Sequence, residues 1–426
     1  MQRNGCRDRL VLGFLALVVV LVGFGGMGLL TVRSLPGRYA YYLPEPLQRL
    51  RTRSHPDVLP TPVAVVASSS IATPTPSPAS TDMASPSAAP TETLSPSPTS
   101  LPSPTPPISL TLTGFRHEHQ GWNNCGPSTL AMALSYLGRT ETQYDAAPVL
   151  KPDPEDKNVS LWEMEAYVED LGLGALTRVG GTLGRLKALV RAGFSVIVET
   201  WYVSDPSDQM GHYRLIVGYD DAAREFLTYD SLHGPDVAVD YQAMDELWRV
   251  FNRAYMVVYS PAQEAELERL LGPDADDVAM YQRALAVARS EAANLPAQCV
   301  AYADCDDWVG FSWFNVGSSL TSLGRHAEAA PAYDQARDAG LPVRMLWYQF
   351  GPYESYYAVG RYEDVIALAD VTLQTASNLE ESYYWRGKAR LAVGDQDGAE
   401  ADFRKALRYH PEWAPAVDAL AGLESN

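Results

Sequence analysis

The residues that could do chemistry cluster between positions 117 and 236. Cys125 stands in GWNNCGPSTLAMALSYL (121–137), followed by Gly126, Pro127 and an apolar run. Pro127 near the first helical position, then Leu130, Ala131, Leu134 and Leu137, predict an amphipathic helix that Gly138 stops. Cys125 then lies at the helix N-terminus, where unpaired N–H groups carry partial positive charge. That position predicts a lowered thiol pKa and a reactive thiolate. Such a nucleophile needs a base, and the base needs an orienting group. Four histidines are available in 108–260: His117, His119, His212 and His233. His212 opens GHYRLIVGYDD, and a turn over Asp220 to Arg224 returns through FLTYDSL. Pairing Tyr219 with Glu225 or Ala223 places His212 and Asp230 opposite or diagonal to one another. Their even numbers put both on one face of the ribbon. A carboxylate there would hold the imidazole in one tautomer. A satisfied structural His–Asp pair is the plainer reading, and Cys125 upstream tips the balance toward catalysis. The rival carboxylates Asp220, Asp221 and Asp236 fall in turns. His117 and His119 lack a third ligand for a metal, and no cofactor motif is seen.

These side chains need a scaffold, and the patterning supplies one. Ser160-Leu-Trp-Glu163 matches a capping box and starts a helix that ends near Gly172. Another helix runs from Thr182 to about Ala192. The period then changes to strands at 194–203, 212–219, 225–230 and 253–259. Helices first and antiparallel strands afterwards indicate an α+β unit over 108–260. The three segments HQGWNNCGPSTLAMALSYLG, GHYRLIVGYDD and LTYDSL resemble, in this order, the cysteine peptidase family that includes the double-glycine leader peptidases, of papain-like fold. The resemblance implies Cys125 as nucleophile, His212 as general base and acid, and Asp230 as orienter. It also implies that the Gln120 amide and the Cys125 backbone N–H form the oxyanion hole. Gln120 lies five residues before Cys125, where papain-like enzymes usually have six. No Walker loop accompanies these motifs.

Residues 261–426 are Ala-rich and carry a repeat. Gly317, Gly324, Ala329, Tyr333 and Ala336 recur 70 residues later as Gly387, Gly394, Ala399, Phe403 and Ala406. Gly360-Arg361 marks a weaker unit between them, and Gly272, Tyr281 and Ala284 a degenerate one before. The pattern resembles tetratricopeptide (TPR) repeats, helix–turn–helix units stacked into an all-α solenoid. Such a solenoid implies a groove for a protein partner or substrate. With 13 basic residues against 26 acidic ones, this part favours non-acidic partners.

The N-terminal quarter is of another kind. A tail over 1–9 precedes LVLGFLALVVVLVGFGGMGLLTV (10–32), which carries no charge and is long enough for a single transmembrane helix. A juxtamembrane segment, 33–54, leads to residues 55–107, which hold 14 of the 31 prolines and no Lys or Arg. Such a stretch predicts a disordered, extended stalk whose cleavage would free everything after it. Cys6 precedes the span, while Cys299 and Cys305 sit close enough for a local disulfide in an oxidising compartment, or stand as two free thiols. A net charge of −19 argues against nucleic acid as a partner. The expectation is a multidomain, membrane-anchored, extracytoplasmic cysteine peptidase acting on a peptide or protein substrate. A silent peptide-binding scaffold and an acyl transferase with the same triad are the alternatives.

Overall fold

The structure, a computed structural model, describes residues 58–63, 106–205, 208–294 and 308–424. The hydrophobic run 10–32, Cys6, Cys299 and Cys305 lie outside these residues. Among the described residues no helix is long and apolar enough to cross a membrane.

Residues 108–260 build an antiparallel sheet from strands β1 (Ser109–Thr111), β2 (Gly174–Arg178), β3 (Val196–Asp205), β4 (Asp208–Asp220), β5 (Glu225–Asp230), β6 (Gly234–Asp240) and β7 (Tyr255–Tyr259). Their order is β2-β7-β3-β4-β5-β6, with β1 added beside β4. The helices before β2 are α1 (Cys125–Tyr136), α2 (Gln143–Leu150) and α3 (Leu161–Asp170); α4 (Leu183–Arg191) precedes β3 and α5 (Tyr241–Arg249) precedes β7. Their starts follow from local chemistry. Glu163 accepts from the Ser160 backbone N–H at 2.7 Å, closing the expected capping box on α3, and the Thr182 side chain caps α4. The α+β expectation holds, with β1, β2, β6, α2 and α5 added to it.

Alternation along the strands sorts the two faces of the sheet. Ile197, Tyr213, Leu215 and Val217 pack in one cluster with Leu130, Met132 and Leu134 of α1. Val196, Val198 and Ile216 point the other way, toward Leu186 and Leu189 of α4 and Trp248 of α5. The first cluster does not end with this unit. It runs on into Phe311, Phe314, Tyr333, Tyr353 and Leu368, so the sheet and the helical region share one core.

The helical region comprises α6 (Glu264–Leu271), α7 (Asp277–Ala293), α8 (Trp308–Ser322), α9 (His326–Asp338), α10 (Gly351–Ala358), α11 (Tyr362–Thr375), α12 (Glu380–Ala392), α13 (Gln396–Tyr409) and α14 (Ala414–Glu424). Small residues let paired helices close up as expected. A Cβ on Gly317 would sit 2.5 Å from the Tyr333 ring, and one on Gly387 2.7 Å from the Phe403 ring. The seam to the sheet is both apolar and polar. Trp201 meets Phe311 at a centroid distance of 5.8 Å, Asn315 Nδ2 donates to Arg249 O at 2.6 Å, and Asn252 Nδ2 donates to Ser319 Oγ at 2.9 Å.

One expectation needs correction. The stretch 55–107 is not stalk throughout: residues 58–63 lie on the helical region, with Val58 bridged to Pro342 and Leu59 only 3% exposed.

Candidate active site

The geometry of the candidate site turns on an irregularity in β4. Near the turn Asp220 pairs with Glu225 and Tyr219 with Phe226; further along Ile216 pairs with Thr228 and Arg214 with Asp230. Beside the turn neither anticipated register occurs, but from Ile216 to Arg214 the pairs follow the one anticipated from Tyr219 with Glu225. Between Ile216 and Gly218 the pairing shifts by one residue, so β4 carries an extra residue at Val217. Without that shift Asp230 would oppose Leu215 and point to the face away from His212. With it, Asp230 opposes Arg214 and lies diagonal to His212 on the same face. Gly218 permits this crowding, because a Cβ there would meet the Leu110 carbonyl oxygen at 2.7 Å.

His212 Nε2 is 2.9 Å from Asp230 Oδ1, with the ring and the carboxyl both buried. That contact assigns the Nε2 proton to the carboxylate and leaves Nδ1 as the acceptor. Asp230 is held from several sides. Arg214 Nε reaches its Oδ2 at 3.1 Å, His233 Nδ1 the same oxygen at 3.2 Å, and the Leu232 N–H donates to Oδ1 at 2.8 Å. Burial alone would push this carboxyl up. The His212 bond and charge, the Arg214 charge and the Leu232 N–H outweigh it and hold the carboxylate well below its usual range. Burial pushes the His212 imidazole below its ordinary value, against the opposing pull of Asp230.

Cys125 arrives at the same strand edge. β5 ends at Asp230, so Tyr213, one residue beyond Arg214, has no strand partner on that side. Helix α1 takes its place. Thr129 Oγ1 donates to Tyr213 O at 3.4 Å, and Cys125, one helical turn earlier on the same face, receives the Tyr213 N–H on its sulfur. Cys125 is thus docked on the residue next to His212. Its thiol is half-buried. Here the sequence expectation fails in direction: burial pushes the thiol up, and the N–H groups of Tyr213 and Gly126 only partly offset it. Near neutrality both the thiol and the imidazole are therefore uncharged. Glu199, which faces Tyr213 across β3–β4, adds no charge near neutrality because burial pushes its carboxyl up to about 8.

The loop before Cys125 is tied down at both sides. Gln120 N–H donates to Ser231 O at 2.9 Å, and Ser231 Oγ donates to Gln120 Oε1 at 2.8 Å, which frees the Gln120 amide N–H groups. Gln143 Oε1 accepts from the Gly121 N–H at 2.7 Å and from Asn124 Nδ2 at 3.1 Å. His117 Nε2 is engaged with Asp230 O at 2.9 Å, and its ring lies 4.6 Å from that of His119. Asp220 instead accepts turn amides at Ala222 and Ala223, and Asp221 pairs with Lys187 at 2.7 Å.

Several contributors carried no motif. Arg214 holds Asp230, Ser231 sets Gln120, and Gln143 braces the loop. Tyr348 enters from the helical region and lies so close to Gly211 that a Cβ there would sit 3.0 Å from its ring. The signals were slight: the Ser of LTYDSL, and the Gly before His212.

Residues 112–257 match the model of the Peptidase_C39 like family. This C39-like domain is followed by a tetratricopeptide repeat matched at 380–412. A crystal structure described as a C39-like peptidase from Bacillus anthracis is 17% identical, covers 36% of this chain and 98% of that one, and superposes with a TM-score of 0.30. No curated protein matches the chain. Cys125, His212 and Asp230 all lie inside the matched C39-like stretch.

Proposed function

We propose that the chain is a cysteine peptidase in which Cys125, His212 and Asp230 act together. The observation that carries this reading is the bulge at Val217, which turns Asp230 onto the face of His212 beside the strand edge where Cys125 docks. As a peptide binds, the Cys125 proton passes to His212 Nδ1 and the sulfur attacks the scissile carbonyl. The oxyanion is taken by the Cys125 backbone N–H and the Gln120 amide. His212 then gives its proton to the leaving amine, and water hydrolyses the thioester with His212 again as base. Asp230 keeps the Nε2–H engaged and offsets the charge on the imidazolium.

The uncharged run 10–32 supports a membrane anchor, and the Pro/Ser/Thr-rich segment after it supports an extracytoplasmic enzyme. The helical region completes the domain core and packs Tyr348 against Gly211, next to His212 in the chain, so its role includes bracing the site as well as recruiting a protein partner. Hydrolysis of a peptide library by the purified full chain tests the activity. Cys125→Ala should abolish turnover while the fold is retained. Undiminished hydrolysis by that variant would sink the mechanism. Products carrying an added amine would reassign it to acyl transfer, and no turnover by folded wild type would leave a peptide-binding scaffold.

A further inference from the structure

The helical region holds a buried ion pair that, besides the bond from Arg361 to Asp364, spends its hydrogen-bonding capacity on a distant stretch of the same chain. Arg337 Nη1 reaches Asp364 Oδ1 at 2.7 Å, with side chains 1% and 3% exposed. Arg337 then donates from Nε to Pro60 O at 2.7 Å and from Nη2 to Thr61 O at 2.9 Å. Asp364 Oδ1 accepts the Val63 N–H at 3.0 Å. On the other side the Leu59 N–H donates to Leu341 O at 2.9 Å, and Val58 makes an antiparallel bridge with Pro342. Leu59 is the apolar anchor, packed in the main core. The stretch Val58-Leu-Pro-Thr-Pro-Val63 suits this site position by position. Its amides at 59 and 63 donate, its carbonyls at 60 and 61 accept, and the prolines at 60 and 62 have no N–H to leave unpaired. Proline also keeps the stretch extended beforehand, which lowers the ordering cost of docking.

We propose that the Arg337–Asp364 pair and the slot taken by Leu59 form a peptide-binding site for an extended Leu-Pro-Thr-Pro segment, filled in cis by residues 58–63. The site is chemically specific. The guanidinium fork reads two successive carbonyls, the carboxylate reads an amide, and the slot reads one aliphatic side chain. The consequence concerns how the enzyme is held. Continuity of the chain through 64–105 is then not what joins the catalytic unit to its N-terminal segment. A cut there leaves the two pieces bound through residues 58–63, with tethering before the cut raising the effective concentration of the segment.

The test uses the full chain, in detergent, with a site-specific protease sequence inserted between Ala84 and Ser85. After complete cleavage the N-terminal piece should co-elute with the catalytic piece on size exclusion. Excess synthetic peptide spanning residues 56–65 should release it, and the same peptide with Leu59 replaced by Asp should not. Leu59→Asp in the chain should raise the dissociation rate roughly tenfold or more, the loss expected when a buried anchor is removed. This substitution leaves the helical region's own residues untouched. Separation of the wild-type pieces as fast as those of Leu59→Asp would overturn the proposal. Retention that neither the peptide nor Leu59→Asp disturbs would overturn it equally, because another surface would then hold the pieces.

Discussion

Asp230 in the sheet domain and Asp364 in the helical region are the same device put to different uses. Each is a buried carboxylate, and each faces a buried arginine, Arg214 or Arg337. They differ in where the spare oxygen capacity goes. Asp364 spends it on the Val63 backbone N–H and on Arg361, groups that never give up a proton. Asp230 spends it on the His212 ring, whose other nitrogen is open to titration. A buried ion pair is structural when all its partners are fixed donors. It becomes chemical equipment when one partner can change its protonation state.

Exchanging each carboxylate for an amide separates the two roles, and the largest effect is expected here. Asp230→Asn should lower kcat/KM for a peptide substrate on the order of 10²–10⁴-fold, the usual span of positioned acid–base catalysis. Asp364→Asn should leave kcat/KM per folded molecule nearly unchanged while lowering stability by up to about 3–5 kcal/mol, since Arg337 loses its buried counter-charge. Chemical denaturation and steady-state kinetics on both variants check this. Similar kinetic losses in the two would erase the distinction.

A smaller effect sharpens the comparison inside the sheet. Gly218→Ala puts a methyl group against the Leu110 carbonyl at the bulge, whereas Gly184→Ala near the start of α4 meets nothing nearer than Thr182 Oγ1 at 3.8 Å. The first should cost roughly 1–3 kcal/mol and reduce activity as the bulge relaxes. The second should be neutral or slightly stabilising, since Ala replaces Gly in a helix. Thermal melts with a parallel activity assay read both.

Much of the site could be seen in the sequence because its signals are local. The capping box at Ser160 and Glu163, the helix after Cys125 and the hairpin joining His212 to Asp230 each lie within a few residues of their cause. The small-residue spacing of Gly317, Tyr333, Gly387 and Phe403 likewise fixed the helical pairing. What escaped was non-local or a matter of balance. The bulge at Val217 has no signature beyond Gly218; the turn itself pairs Tyr219 with Phe226, and the bulge restores at Arg214 and Asp230 the register anticipated from Tyr219 with Glu225. The docking of Leu59 depends on Leu341 and Arg337, nearly 300 residues away, so a Pro-rich composition gave no hint of it. The thiol of Cys125 was misjudged for a different reason: a helix tip favours the thiolate, but burial opposes it and prevails. The shared core around Trp201 and Phe311 could not be inferred from either domain alone.

The rate at which a peptidyl electrophile labels Cys125, followed by mass spectrometry across pH in wild type and in His212→Ala, tests the central claim most directly. Burial lowers the His212 pKa, so the base form of the imidazole persists as pH falls. Wild-type labelling should therefore hold down to below pH ~6.5 and decline only as His212 takes up a proton. His212→Ala should label at least about a hundredfold more slowly near neutrality and gain rate only as the buried thiol ionises, above the ordinary thiol range. Equal rates and the same pH profile in the two proteins would mean that His212 does not activate Cys125, and the account would fail.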